Sequence, residues 1–165
     1  MTGVRIAGVG MTPFGDQPEL TARELFAEAA GRAFDDTSVE RDAVEEAFYG
    51  NFMGEFAETQ GHQGPLAAGV AGVTAPATRI ESACASSGVA VRHGVNQIRS
   101  GDADVVLVGG AERMNNLSTA ETTEALAAAA DALWEIRAGV TFPGAYSLMA
   151  TRYFHEFGGD REDLA

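Results

Sequence analysis

The segment from Ala77 to Gly110 constrains the fold more than any other part of the chain. Thr78 to Ser82 alternates as a strand does, and Ala83 to Gly88 contains only small residues, which favour a sharp turn. After a helical spacing, Val105 to Val108 is a continuous apolar run, typical of a parallel strand covered on both faces. We therefore predict a β-α-β unit with Cys84, the only cysteine, at the point where strand becomes helix.

The predicted helix runs from about Cys84 to Gly101, a glycine suited to the left-handed residue that ends many helices. Steps of four and three residues place one set of small and apolar residues on a single face. The predicted face consists of Cys84, Gly88, Val91, Val95 and Ile98.

A cysteine at the start of a helix differs chemically from a cysteine in a core. Free backbone N–H groups and the positive end of the helix dipole stabilise a thiolate, which is the nucleophilic form. The same N–H groups can bind the oxyanion that forms when a thiolate attacks a carbonyl. The alternative is that Cys84 is simply a small buried residue, but the strand, turn and helix around it favour a nucleophile.

The rest of the N-terminal part has the pattern of an α/β protein. Val4 to Val9 is predicted as a strand, and Thr21 with Glu24 forms a capping box that opens a helix. Ala47 to Phe52 is a second predicted strand, and Pro65 begins a short helix. The order β-α-β-α-β-α-β predicts a layered, mainly parallel sheet with helices on both faces.

Beyond Leu117 the pattern becomes helical. Ser118 and Glu121 form a second capping box, which opens a helix predicted to reach about Arg137. Another helix follows Pro143, and the chain stops in what is predicted to be the first turn of a further helix, as a fragment would. We expect an α/β core over residues 1–117 and the start of a helical region over 118–165.

The charge balance excludes some partners. The formal net charge is −13 at pH 7, and all 11 basic residues are arginine. So acidic a chain repels nucleic acid and anionic membranes, and a lysine-free acidic surface suggests adaptation to a salty cytoplasm. With one cysteine, no basic and apolar leader and no membrane-length apolar run, we expect a cytoplasmic location.

No histidine is placed to activate Cys84 directly. His93 lies nine residues after Cys84 on the same predicted helix, and therefore points to the opposite side. His62 is expected to cap a helix or to line a subunit contact, and His155 to be exposed. The sequence has no pair of metal ligands at short spacing, so we expect neither a metal site nor a bound cofactor.

Two stretches resemble the nucleophile region of thiolases, most closely the archaeal acetyl-CoA acetyltransferase branch. They are Ala77 to Gly88, with Cys84 in its small-residue turn, and Ser100 to Met114, with the following strand. The resemblance extends more weakly to Val4 to Gly10, to Gly50 to Phe52 and to Tyr146 to Ala165.

The resemblance implies that Cys84 accepts an acyl group as a thioester and passes it to coenzyme A or to an acetyl-CoA carbanion. A coenzyme A thioester would be the substrate, not a bound cofactor, and the Cys84 N–H would be one donor to the oxyanion. Tyr146 and Met149 would line the acyl-pantetheine pocket, or alternatively fill a core as part of an aromatic stripe. In thiolases a second, similarly folded half supplies the activating histidine and a second cysteine, and its motifs do not occur here.

The resemblance also implies partners and leaves alternatives. Thiolases form dimers or tetramers, and in archaea they join hydroxymethylglutaryl-CoA synthase through an OB-fold protein, so a homo-oligomer and that complex are both expectations. The alternative function is a non-catalytic half-subunit or scaffold of a thiolase-like complex. A related condensing enzyme that uses the same cysteine position is a third interpretation.

Overall fold

The computed structural model describes residues 3–164, which form two compact units. The first unit ends at Leu117 and the second begins at Ser118. The elements of the first unit are α1 (Ala22–Asp35), β1 (Glu46–Gly50), α2 (Gly54–Ala57), α3 (Gln63–Val70), β2 (Ala77–Ile80), α4 (Ser86–Ser100) and β3 (Val106–Gly110).

The three strands form a parallel sheet in the order β2-β1-β3. Phe48 in the central strand lies opposite Thr78 on one side and Val108 on the other. Because the strands are parallel, their carboxyl ends meet at one edge of the sheet. The predicted parallel α/β architecture is confirmed.

The central strand β1 serves two layers, because successive side chains of a strand point to opposite faces. Tyr49 packs with Phe26 and Ala30 of α1 and with Ala67 of α3, and its ring meets that of Phe26 edge-on at 5.1 Å. Phe48 points the other way, towards α4. The sheet therefore has helices on both faces, as predicted.

Helix α4 approaches the sheet through a different face from the one predicted. Its buried residues are Ser86, Ala90 and Gly94, whereas Val91 is 53% exposed. A Cβ at Gly94 would lie 2.5 Å from the Val108 side chain, so only small residues allow this close approach. Helical periodicity predicted a face that includes two valines of α4, but the helix contacts the strands through its small residues.

The predicted strand over Val4 to Val9 is wrong: the structure forms no ladder there. Gly8 and Gly10 instead pack on the backbone of α1, where an added Cβ would lie 2.4 Å from the Ala33 carbonyl oxygen and 2.1 Å from that of Ala29. An apolar groove of about 470 Å³ is lined by this segment, α1, α4 and β3. A strand needs a hydrogen-bonded neighbour, and this segment has none among the described residues.

The second unit contains α5 (Thr119–Ala127) and α6 (Phe142–Phe157). The capping box of Ser118 and Glu121 is present, but α5 ends ten residues before the predicted Arg137. The cause is local, because the Asp131 carboxylate accepts hydrogen bonds from the backbone N–H groups of Leu133 and Trp134. No helix within residues 3–164 combines the length and the apolar character needed to cross a bilayer.

Candidate active site

Cys84 lies at the carboxyl edge of the sheet. It occupies a single 3₁₀ turn, Ala83–Ala85, between the end of β2 and the first residue of α4, and it is exposed to solvent. The predicted position between strand and helix is confirmed, and the interpretation of Cys84 as a buried core residue is wrong. An exposed thiol in front of a helix can reach a substrate carbonyl.

The turn that carries Cys84 has an unusual backbone. Ala83 has φ +46°, in the left-handed region that residues other than glycine rarely adopt. Its N–H donates to the Glu81 carboxylate at 2.6 Å, and the Ala85 N–H donates to the Ser82 carbonyl at 2.9 Å. These bonds hold the backbone on both sides of the thiol.

The buried hydroxyl of Ser86 also ties this turn together. It accepts a hydrogen bond from the Ser82 N–H at 2.9 Å and donates one to the Ala83 carbonyl at 2.7 Å. The sequence analysis did not single out Ser86. The available signal was a serine at the start of a helix, where a side-chain oxygen often bonds to nearby backbone.

The start of α4 rests on two glycines at the ends of the strands. A Cβ on Gly50 would lie 2.7 Å from the Ser87 backbone, and one on Gly110 would lie 2.2 Å from the Gly50 carbonyl oxygen. Both distances are impossible for real atoms, so β1 and β3 must end in glycine for α4 to start here. The glycines thus determine where the cysteine turn sits on the sheet edge.

Asn51 and Glu112 link the carboxyl ends of β1 and β3. The buried Asn51 amide donates to the Ala111 carbonyl at 2.8 Å and to the Glu112 carboxylate at 3.0 Å. The Glu112 carboxylate also accepts from the N–H groups of Phe52 and Met53. The sequence analysis named Asn51 and Glu112 only within longer stretches, because nothing in their spacing shows that they meet.

Arg79 of β2 joins the same network from the other side. Its guanidinium donates to the carbonyl oxygens of Asn51 and Phe52, at 3.2 Å and 3.0 Å, and pairs with the Glu55 carboxylate at 2.6 Å. Residues at the ends of all three strands are therefore linked by hydrogen bonds at the edge next to the cysteine turn.

The pKa values of two ionisable groups at this edge are shifted from their ordinary values. Burial, reinforced by the nearby Glu112 charge, raises the pKa of Tyr49, so its hydroxyl stays protonated and donates to the Ala111 carbonyl at 3.2 Å. Glu112 as a residue is exposed, yet desolvation of its inward carboxylate raises its pKa, against the opposing effect of the bonds from Phe52 and Met53. Neither group titrates in the way a solvated side chain would.

The three histidines lie on or beside three different helices. The His93 ring packs beside Phe48 with 5.7 Å between ring centroids. His62 precedes α3 with φ +56° but makes no side-chain capping bond, and His155 is exposed on α6. Among residues 3–164, no three histidine, cysteine or carboxylate side chains cluster in a way that could hold a metal ion.

Tyr146 and Met149 lie on α6 in the second unit. They are 64% and 56% exposed, so neither fills a core in the part of the chain that is described. Tyr153 and Phe157 lie on the same helix and are also exposed. This helix presents an exposed aromatic surface, and its contact with substrate stays a prediction.

Comparison with known proteins identifies what the whole arrangement is similar to. Residues 4–165 match the family model described as the N-terminal domain of thiolase. The chain is 39% identical to an acetyl-CoA acetyltransferase of Methanothermobacter thermautotrophicus over all of its own length and 43% of that relative. It is also 39% identical to an acetyl-CoA acetyltransferase of Methanocaldococcus jannaschii, of which it covers 42%.

A more distant relative and a solved structure agree. A benzoylsuccinyl-CoA thiolase subunit of Thauera aromatica is 34% identical over 98% of this chain and 40% of its own length. The structure of an acetyl-CoA acetyltransferase from Syntrophomonas wolfei superposes with a TM-score of 0.56 at 19% identity, over 61% of this chain and 26% of that one. That superposition supports the fold alone. The chain spans less than half the length of these three relatives.

Proposed function

Because this chain belongs to the thiolase family, we propose that it takes part in acyl transfer between coenzyme A thioesters, with Cys84 as the nucleophile. The observation that carries the proposal is the exposed Cys84 thiol in a held turn in front of α4. Residues up to Leu117 would be the core that carries the nucleophile, and residues from Ser118 the start of the helical loop region.

The proposed reaction has two steps. The Cys84 thiolate attacks the acyl carbonyl, a new C–S bond forms, and the bond to coenzyme A breaks, so that coenzyme A leaves as a thiolate and takes up a proton. In the synthetic direction, the acyl group then passes to an acetyl-CoA carbanion, which gives acetoacetyl-CoA. In thiolysis, the thiolate instead attacks the 3-keto carbonyl of the acyl-CoA, the C2–C3 bond breaks, and acetyl-CoA leaves as a carbanion that takes up a proton. Coenzyme A then takes the acyl group from Cys84. Two moderate steps replace one difficult step.

The backbone contributes the second part of the proposal. When the thiolate attacks, negative charge develops on the carbonyl oxygen, and the Cys84 N–H would be one of the donors that stabilise it. The groups that move protons would lie in the part of the relatives' length that this chain does not span.

The test is acetylation of the protein expressed from its complete reading frame. Incubation with acetyl-CoA should add one acetyl group to the tryptic peptide from Ile80 to Arg92, which contains the only cysteine of this chain. Hydroxylamine should remove the group, because thioesters are cleaved by it, and Cys84→Ser should abolish labelling. Labelling elsewhere, with none on Cys84, would reject the role.

The same experiment tests the alternative of a non-catalytic half-subunit or scaffold. A scaffold would assemble normally but would not become acetylated, and Cys84→Ser would leave its biological role unchanged. Acetylation of Cys84 at a rate that supports turnover therefore excludes this alternative.

Tyr146 and Met149 are proposed to contact the acyl-CoA substrate. Truncation of either side chain to alanine should raise the KM for acyl-CoA several-fold and leave folding intact, because both are exposed. Leu148→Ala is the matched control, since Leu148 is 69% exposed on the same helix. An equal KM for all three variants and the wild type would contradict the assignment.

Assembly is a further part of the proposal. A homo-oligomer, and a complex with hydroxymethylglutaryl-CoA synthase through an OB-fold protein, would match the expectations from the family. Co-expression followed by native mass spectrometry would detect either assembly, and a monomer that captures neither protein would contradict both.

A further inference from the structure

The peptide unit between Ala83 and Cys84 carries two groups that matter differently to the site. Its carbonyl belongs to Ala83 and its N–H to Cys84, and a peptide unit is planar with the two groups pointing in opposite directions. Whatever fixes the Ala83 carbonyl therefore also fixes the direction of the Cys84 N–H. This N–H is the proposed donor to the oxyanion, so its direction affects the first chemical step.

The Ala83 carbonyl receives two hydrogen bonds from a single residue. The Ser86 hydroxyl donates to it at 2.7 Å, and the Ser86 backbone N–H donates to it as well. The same hydroxyl accepts from the Ser82 N–H at 2.9 Å. Ser86 is only 5% exposed, so water does not compete for these bonds.

The residue that carries this carbonyl has a strained backbone. A left-handed alanine costs about 1–2 kcal/mol relative to an ordinary backbone conformation. Rotation of the peptide between Ala83 and Cys84 changes the ψ of Ala83 and the φ of Cys84, and it would turn the Cys84 N–H away. Strained residues persist only where the surroundings hold them.

We propose that Ser86 is a positioning residue, whose hydroxyl holds the Ala83–Cys84 peptide in the orientation that presents the Cys84 N–H to the oxyanion. The inference rests on the proposed function, because it assigns Ser86 a role in the acylation of Cys84. It differs from a role in holding the thiol, since attack on an acyl carbonyl needs the oriented N–H and simple alkylation does not.

The test compares two reactions of the same thiol in the protein expressed from its complete reading frame. The first is the single-turnover rate of Cys84 acetylation by acetyl-CoA, and the second is the rate of alkylation by iodoacetamide, which forms no oxyanion. In Ser86→Ala, acetylation should fall about tenfold to hundredfold at saturating acetyl-CoA, since a misdirected donor loses part of the effect of an oxyanion-hole bond. Alkylation and the apparent Kd for acetyl-CoA should stay near their wild-type values.

Two variants calibrate the result. Ser86→Thr keeps the hydroxyl and should restore acetylation. Ser100→Ala removes a serine hydroxyl at the other end of α4, where it bonds Gln97 and Asp102, and should leave both reactions unchanged. If Ser86→Ala does not fold, the pair Ala83→Gly and Ala83→Gly/Ser86→Ala replaces it, because glycine removes the left-handed strain while the comparison still isolates the hydroxyl.

The possible outcomes are distinct. Acetylation of Ser86→Ala at the wild-type rate would overturn the inference and leave the proposed function standing. Equal losses in acetylation and alkylation would also overturn it, because Ser86 would then only place the thiol. Failure of the wild type to acetylate Cys84 would overturn the proposed function, and the inference with it.

Discussion

Gly110 shows how a single missing side chain can set the position of a site. It ends β3, and a Cβ there would lie 2.2 Å from the Gly50 carbonyl oxygen and 2.6 Å from the Ser87 hydroxyl. The hydroxyl could rotate away, but the carbonyl belongs to the central strand, which is paired on both sides. The start of α4, and with it the cysteine turn, depends on this contact.

Gly110→Ala should therefore lower the free energy of unfolding by about 1–3 kcal/mol, the usual cost of an atom forced into a packed region. Urea unfolding followed by circular dichroism would measure it. Gly88→Ala is the matched control, because a Cβ there meets nothing within 4 Å and a helical alanine should raise stability by about 0.5–1 kcal/mol. A Gly110→Ala protein as stable as the Gly88→Ala protein would contradict this view of the sheet edge.

At the scale of elements, α1 begins with a capping box formed by Thr21 and Glu24. The Thr21 hydroxyl and the Thr21 N–H both donate to the Glu24 carboxylate, at 2.6 Å and 2.8 Å. The hydroxyl bond, followed by the backbone bond, lowers the pKa of Glu24 below its usual 4.5. A carboxyl group whose pKa is lowered by folding stabilises the folded state when the pH is above its ordinary pKa. This stabilisation is lost as the pH falls through the lowered pKa.

Glu24→Gln should thus be less stable than the wild type at neutral pH, and the difference should narrow as pH falls below 4.5. Urea midpoints across a pH series would show the convergence. Thr21→Val removes the hydroxyl donor at nearly constant volume and should reduce the same pH dependence. A stability difference that stays constant across the series would show that the carboxylate charge is not what the capping box uses.

The sequence could predict those features whose causes lie within a few neighbouring residues. The capping boxes of α1 and α5 were predictable because each is complete within four residues. The end of α5 was not, because the pattern gives no sign that the Asp131 carboxylate captures two backbone N–H groups. The strand predicted over Val4 to Val9 failed for a different reason, since strand formation depends on a partner elsewhere in the chain.

In the candidate site, too, local features were predicted and contacts between distant residues were not. Cys84 was placed correctly from the strand, turn and helix on either side of it, all of which are close in sequence. The meeting of Asn51 with Glu112 joins residues 61 positions apart, and spacing carries no information about it. The inward direction of Ser86 was missed because the face that helical spacing predicted for α4 does not include this residue.

At the scale of the whole molecule, charge is the dominant feature. The chain has 24 acidic residues against 11 arginines. Ion pairs such as Arg32–Glu28 and Arg79–Glu55 engage a few of these carboxylates. The excess charge repels itself in the folded state more than in the expanded unfolded state.

Salt should therefore stabilise this protein. Screening shortens the reach of these repulsions from about 10 Å at 0.1 M to about 3 Å at 1 M salt, so the free energy of unfolding should rise between low and molar KCl. Thermal unfolding in a KCl series would measure the change, and NaCl should act equally if screening is the cause. The variant Glu40→Gln/Asp42→Asn, which removes two exposed charges before β1, should depend less on salt. Equal stability at low and molar salt would mean that the acidic surface is not an adaptation to a salty cytoplasm.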